Sequence, residues 1–148
     1  MNWFSWLGLF VVLCTASSVT ANDYLGVNRC RSCHEQAYDQ WQQTAHARAH
    51  ERLSPIESRD PRCAGCHSTS IKDGLVGVQC ESCHGPGEHY WPAYIMRDDA
   101  LARAVGLQKG DEPRLCKGCH TVETPSLRPF DYAKAIIGIR HKPKEHQP

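Results

Sequence analysis

The sequence predicts a mainly α-helical chain with extensive irregular loops, and three observations predict it. The first is a shortage of aliphatic side chains. Leu, Ile, Val and Phe supply 19 of the 127 residues that follow Ala21, about 15%, below the level at which a globular domain builds an ordinary core. A net charge of only +1 argues against disorder, which combines low hydrophobicity with high net charge. The second observation is a set of cysteine pairs, each with two residues between its members, a spacing that suits one helical turn. The third is the punctuation between those pairs. Pro55, Gly74, Gly85-Pro86-Gly87, Gly106 and Pro113 cut the chain into short pieces.

At 148 residues and 16.6 kDa the chain is one domain at most. Of its nine cysteines, eight fall into four copies of one pattern. They are Cys30-Arg-Ser-Cys33-His34, Cys63-Ala-Gly-Cys66-His67, Cys80-Glu-Ser-Cys83-His84 and Cys116-Lys-Gly-Cys119-His120. Cys-x-x-Cys-His is the attachment signal of c-type haem. Two thiols add across the two vinyl groups on one porphyrin edge, and the next residue presents its imidazole to the iron. A disulfide scaffold also has an even cysteine count, but gives no reason for a histidine after every second cysteine. Zinc sites use paired Cys-x-x-Cys units and would leave four adjacent histidines unexplained. The expectation is therefore a compact multihaem cytochrome c fold organised around four covalently bound haems, with iron and porphyrin supplying the missing apolar mass. The binding residues are Cys30, Cys33, Cys63, Cys66, Cys80, Cys83, Cys116 and Cys119, with His34, His67, His84 and His120 as proximal iron ligands.

Residues 1–21 read as a signal peptide. Trp3 to Cys14 is an apolar run, and Val19-Thr20-Ala21 is a small-residue cleavage pattern before Asn22. An uncleaved anchor is the alternative, but the run is short for a spanning helix, which needs about 20 residues. Residues 22–148 then form the tetrahaem domain, periplasmic and without a membrane span. Cys14 leaves with the leader. Lys and Arg number 17 against 16 Asp and Glu, which gives no basic nucleic-acid footprint.

Along the chain, the pattern predicts a long helix over 29–53. It would place His46 and His50 four residues apart on one face and close at Pro55. Lys72-Asp73-Gly74 is a turn, and Leu75 to Val78 a short extended piece. Gly85-Pro86-Gly87 stops the helix of the third motif and leaves His89 on a short tether. A helix follows over 93–105. Asp131 is the N-cap of a last helix over 132–140, with His141 at its end. The spare histidines are His46, His50, His89, His141 and His146. Met96 is the one methionine after the leader, placed where it packs. With at most one methionine ligand, most haems should have low potentials.

The run Val76-Gly77-Val78-Gln79-Cys80-Glu81-Ser82-Cys83-His84-Gly85-Pro86-Gly87 resembles the third haem site of the tetrahaem cytochrome c-554 family, which is linked to hydroxylamine oxidoreductase. Trp41 to Ala49 is similar to the segment after that family's first site, and Phe130 to Lys134 to its last helix. The resemblance implies axial pairs His34 with His89, His84 with His46, and His120 with His141. The iron at His67 would lack a distal protein ligand, with His50 as an alternative occupant. It implies an electron carrier with mostly bis-histidine haems in stacked pairs, and redox partner proteins. These would be a hydroxylamine-oxidoreductase-like or other multihaem donor and a membrane or soluble cytochrome acceptor. A second expectation is an enzyme that reduces nitric oxide or a related nitrogen oxide at a five-coordinate haem on His67. No catalytic side chain can be assigned to it from the residues.

Overall fold

In the computed structural model, which describes residues 23–121 and 129–141, the chain is a string of one- and two-turn helices and one small ribbon. The helices are α1 (Val27–Arg31), α2 (Glu35–Gln42), α3 (Pro61–His67), α4 (Cys80–His84), α5 (Ala93–Met96), α6 (Asp99–Ala104), α7 (Pro113–Lys117) and α8 (Tyr132–Ala135). The strands are β1 (Ser68–Ser70) and β2 (Leu75–Val76). The expected leader, Cys14 and His146 lie outside the described residues. Among the described residues, no helix is long and apolar enough to cross a membrane.

Aspartates start three of the helices. The Asp60 carboxylate accepts the Arg62 N–H at 2.9 Å, with Pro61 as the first helical residue of α3. Asp98 accepts from Leu101 at 3.0 Å, and Asp131 from Lys134 at 3.3 Å, as its sequence position predicts. Beyond α8 the chain tightens into a 3-10 turn at Ile136–Gly138, so the last helix is shorter than 132–140.

The long helix expected over 29–53 is broken. Ser32 donates its hydroxyl to the Arg29 carbonyl at 2.8 Å, and Thr44 donates to Trp41 at 2.7 Å. Such hydroxyls compete with the helical ladder. The Trp41 indole donates to the Val78 carbonyl at 2.8 Å, which fastens α2 to a distant segment. His46 therefore falls in a turn and His50 in the 3-10 turn Ala49–Arg52, and the two share no helix face. The helix expected over 93–105 is likewise two helices, because Asp98 caps α6 and ends the run begun by α5.

The extended piece at Leu75 pairs antiparallel with β1, Ser68 opposite Val76 and Ser70 opposite Leu75. The turn between them closes through Gly74 N–H to the Ile71 carbonyl at 3.2 Å. The protein's own apolar core is thin. Ala64, Ala102 and Tyr90 are its buried apolar residues, and none of the described residues is a fully buried large side chain. Ile56 and Ile137 stand about four-fifths exposed, at 83% and 79%. The shortage of Leu, Ile and Val thus reappears as a missing interior.

Candidate haem sites

Each cysteine motif is wound on a helical turn. The second lies wholly in α3 and the third in α4. The first and fourth start in α1 and α7, and there the His34 N–H still reaches the Cys30 carbonyl at 2.9 Å and the His120 N–H the Cys116 carbonyl at 3.0 Å. That i to i−4 bond carries the helical turn from the first cysteine to the histidine.

The motifs meet in pairs. The thiols of Cys30 and Cys80 are within hydrogen-bonding reach of one another, and so are those of Cys66 and Cys119. Burial, helped by Cys66, pushes the Cys119 thiol up to about 12. The bond to Cys30, then burial, pushes Cys80 upward, while Cys30 as acceptor is lowered. Motif one therefore abuts motif three, and motif two abuts motif four.

Two proximal histidines are fixed through Nδ1. His67 Nδ1 lies 2.6 Å from the Ala49 carbonyl and His84 Nδ1 lies 3.2 Å from the Gln108 carbonyl. A carbonyl can only accept, so Nδ1 carries the proton and Nε2 keeps its lone pair for a metal. Burial lowers the basicity of His46, His120 and His141. This favours neutral imidazole, the form that ligates metal.

Ring spacing tests the fit to haem iron. A metal–imidazole bond of about 2.0 Å on each side of one ion puts the two ring centres about 6 Å apart. His84 and His141 have centres 6.3 Å apart with planes 23° from parallel, and His46 and His120 have centres 6.1 Å apart. One cavity is lined by Cys80, Cys83, His84, His46 and His141, with Ile136 and Ile139 on its wall. Both thiols, the proximal imidazole and two further imidazoles thus line the same space, and the residues fit haem c.

The His84 ring lies near His141 and the His120 ring near His46, while His46, the partner that the resemblance implies for His84, lines the same cavity as His84. Asp111, just beyond the loop that holds His84, ion-pairs with Arg140 at 3.0 Å and so brings His141 to the third motif. Phe130 stacks on His120 at 4.4 Å, on the side from which the last helix comes. His34 is exposed and close enough to His141 to lower its basicity. His89 is exposed at the end of the Gly-Pro-Gly loop. His50 Nδ1 lies 3.4 Å from Ser68 Oγ, beside the Ala49 carbonyl that holds His67. The 49–50 turn thus sits behind the His67 ring rather than facing Nε2.

Residue-level reasoning missed Glu81, which lies between the cysteines of the third motif and is 2% exposed. Its carboxylate accepts from Leu25 N–H at 2.9 Å and 3.1 Å, Gly26 N–H at 2.8 Å and Gly87 N–H at 2.7 Å. It joins the lead-in to α1, α4 and the Gly-Pro-Gly loop at one point. The available signal was a charged residue between the two cysteines of a haem-binding motif.

Comparison with known proteins agrees with this geometry. The family model described as "Cytochrome c554 and c-prime" matches residues 29–85, which contain the first three motifs. Cytochrome c-554 of Nitrosomonas europaea is 31% identical over 109 residues, covering 55% of this chain and 46% of that protein. The match thus spans about half the length of that relative. No solved structure matches the chain. Motif, ring spacing and sequence match converge, and residues 29–85 of the chain are similar to the cytochrome c-554 family of c-type cytochromes, which bind haem c covalently.

Proposed function

We propose that this chain is a periplasmic tetrahaem cytochrome, freed of residues 1–21, that passes electrons between redox partner proteins. The observation that carries the reading is the pairwise approach of the motifs, Cys30 to Cys80 and Cys66 to Cys119. Bound haem supplies reversible one-electron exchange at iron. The chain's part is to hold four such groups close together and to occupy their axial positions. On family resemblance the axial pairs are His34 with His89, His84 with His46 and His120 with His141, and His46 and His84 line one cavity. Two imidazoles on one iron leave no place for a substrate, which suits a carrier. The Gln108 carbonyl on His84 Nδ1 raises the basicity of that ligand. The donor and acceptor are taken as a hydroxylamine-oxidoreductase-like or other multihaem protein and a membrane or soluble cytochrome. Denaturing mass spectrometry of the exported protein should give the mass of residues 22–148 plus four haems. A mass with three haems or fewer defeats the tetrahaem reading at the motif left empty.

A second reading is favoured by one observation, the placement of the 49–50 turn on the Nδ1 side of His67. The distal position on that iron is then open to a small ligand such as nitric oxide. Electron paramagnetic resonance of the oxidised protein separates the two readings. One high-spin ferric signal that shifts on adding nitric oxide supports ligand chemistry at His67. Four low-spin signals leave only the carrier.

A further inference from the structure

We propose that Glu81 sets the reduction potentials of the first and third haem sites, as a fixed negative charge sealed into the joint between them. The inference rests on the four-haem reading, with one haem on motif one and one on motif three.

Two stretches of chain build the joint. Leu25 and Gly26 lead into α1 and the first motif, while Gln79 and Glu81 stand at the start of α4 and the third. Glu81 Oε1 accepts from Leu25 N–H at 2.9 Å and from Gly87 N–H at 2.7 Å. Oε2 accepts from Gly26 N–H at 2.8 Å and from Leu25 N–H at 3.1 Å. Val27 N–H adds a bond to Gln79 Oε1 at 2.8 Å. The Cys30 and Cys80 thiols meet across the same joint.

N–H donors fill both acceptor positions of each carboxylate oxygen, which leaves no place for a carboxyl proton. Glu81 therefore carries a full negative charge at 2% exposure. None of the ion pairs among the described residues includes it, so backbone dipoles alone answer that charge. A charge kept from water is weakly screened and acts at a distance. Beyond their mutual bond and burial, the Cys30 and Cys80 thiols both feel it, and it opposes their ionisation. Those thiols are the attachment points of the first and third haems, so the same field reaches both porphyrins. Oxidation of haem iron adds one positive charge. A fixed negative charge nearby favours that state and lowers the potential.

Glu81→Gln in the four-haem holoprotein removes the charge at nearly constant size. Potentiometric titration followed by absorbance should show two of the four haems shifted toward the reduced form by about tenfold, a rise of about 59 mV for one electron. The other two should not move. Loosened packing would imitate such a shift, so a second variant keeps the carboxylate in place. Leu25 Cδ1 and Glu81 Oε1 flank one point, 3.3 Å and 2.9 Å from a Cβ built on Gly87. Leu25→Lys sets an ammonium beside the carboxylate and should raise the same two potentials, by about threefold in the equilibrium. Peptide mass mapping of the parent reports which motifs carry haem. A parent without haem on motif one or three defeats the four-haem reading, and this inference with it. With all four haems bound, unchanged potentials in Leu25→Lys refute the electrostatic role, whether or not Glu81→Gln assembles. A rise shared equally by all four haems refutes it as well.

Discussion

Glu81→Ala should lower the unfolding free energy of the oxidised holoprotein by about 3 kcal/mol or more, among the largest losses for any single side chain outside the motif cysteines and histidines. The wild-type carboxylate accepts from the backbone N–H groups of Leu25, Gly26 and Gly87. Truncation leaves three donors without their acceptor. A buried donor that loses its partner costs about 1–3 kcal/mol, and bonds to a charged acceptor are the stronger kind. Glu81 is 2% exposed, so water cannot reach the vacated space without rearrangement. The damage should spread in a defined way. Leu25 and Gly26 lead into α1 and the first motif, while Gly87 sits in the loop after the third, so both sites should loosen together. Denaturant titration followed by haem absorbance measures the loss. A loss below about 1 kcal/mol would mean that the three donors find other partners and that the carboxylate is not the joint between these segments. Glu81→Gln is the companion variant. It keeps the size and one acceptor oxygen, but turns an amide donor toward N–H groups. It should therefore recover only part of the stability.

How much of this was legible in the sequence depends on whether a residue acts locally. The Cys-x-x-Cys-His turns, the Asp131 cap, the turn at Lys72-Asp73-Gly74 and the stop at Gly85-Pro86 are decided within a few residues, and all could be read. The helix over 29–53 could not. Its apolar and charged spacing is helical, but Ser32 and Thr44 turn their hydroxyls back onto carbonyls, and Trp41 gives its indole proton to Val78 across 37 positions of chain. Asp98 was readable as a cap, yet a helical pattern on both sides of it masked the break. The approach of His141 to the third motif is the clearest case of long-range control. It is set by the Asp111–Arg140 pair, while Phe130 stacks on His120. No spacing rule encodes contacts of that kind. Glu81 was hidden for the opposite reason. Glutamate is almost never fully buried unless paired, and here its partners are backbone N–H groups that carry no side-chain signature.

Gly77→Ala should cost about 2 kcal/mol or more and should also disturb the site built on His46. Gly77 has φ of +79°, in the left-handed range where a Cβ is penalised by about 1–2 kcal/mol. The space is closed as well. A Cβ at Gly77 would stand 2.8 Å from the Ala47 carbonyl oxygen, with the His46 carbonyl at 3.6 Å. Those neighbours are backbone and cannot swing aside like the end of a flexible side chain. The surrounding bonds fix the approach. Gly77 N–H donates to the His67 carbonyl at 3.1 Å, Val78 N–H donates to the His46 carbonyl at 3.0 Å, and Thr69 Oγ1 donates to the Gly77 carbonyl at 2.9 Å. Relieving the clash must push the 46–47 segment away from β2, and with it the His46 ring that lies 6.1 Å from His120. Two readouts should therefore move together. The unfolding midpoint should fall, and the low-spin signal of the iron that His46 ligates should broaden or pass to high spin. Gly118→Ala is the control, because Gly118 has right-handed helical backbone at φ −61°, and an added Cβ meets only the Leu115 carbonyl at 3.4 Å. Alanine there should be neutral or slightly stabilising, by up to about 1 kcal/mol. If Gly77→Ala proves as harmless as Gly118→Ala, the close approach of β2 to the His46 segment does not exist in solution. If it destabilises but leaves every low-spin signal in place, Gly77 shapes the ribbon without positioning His46.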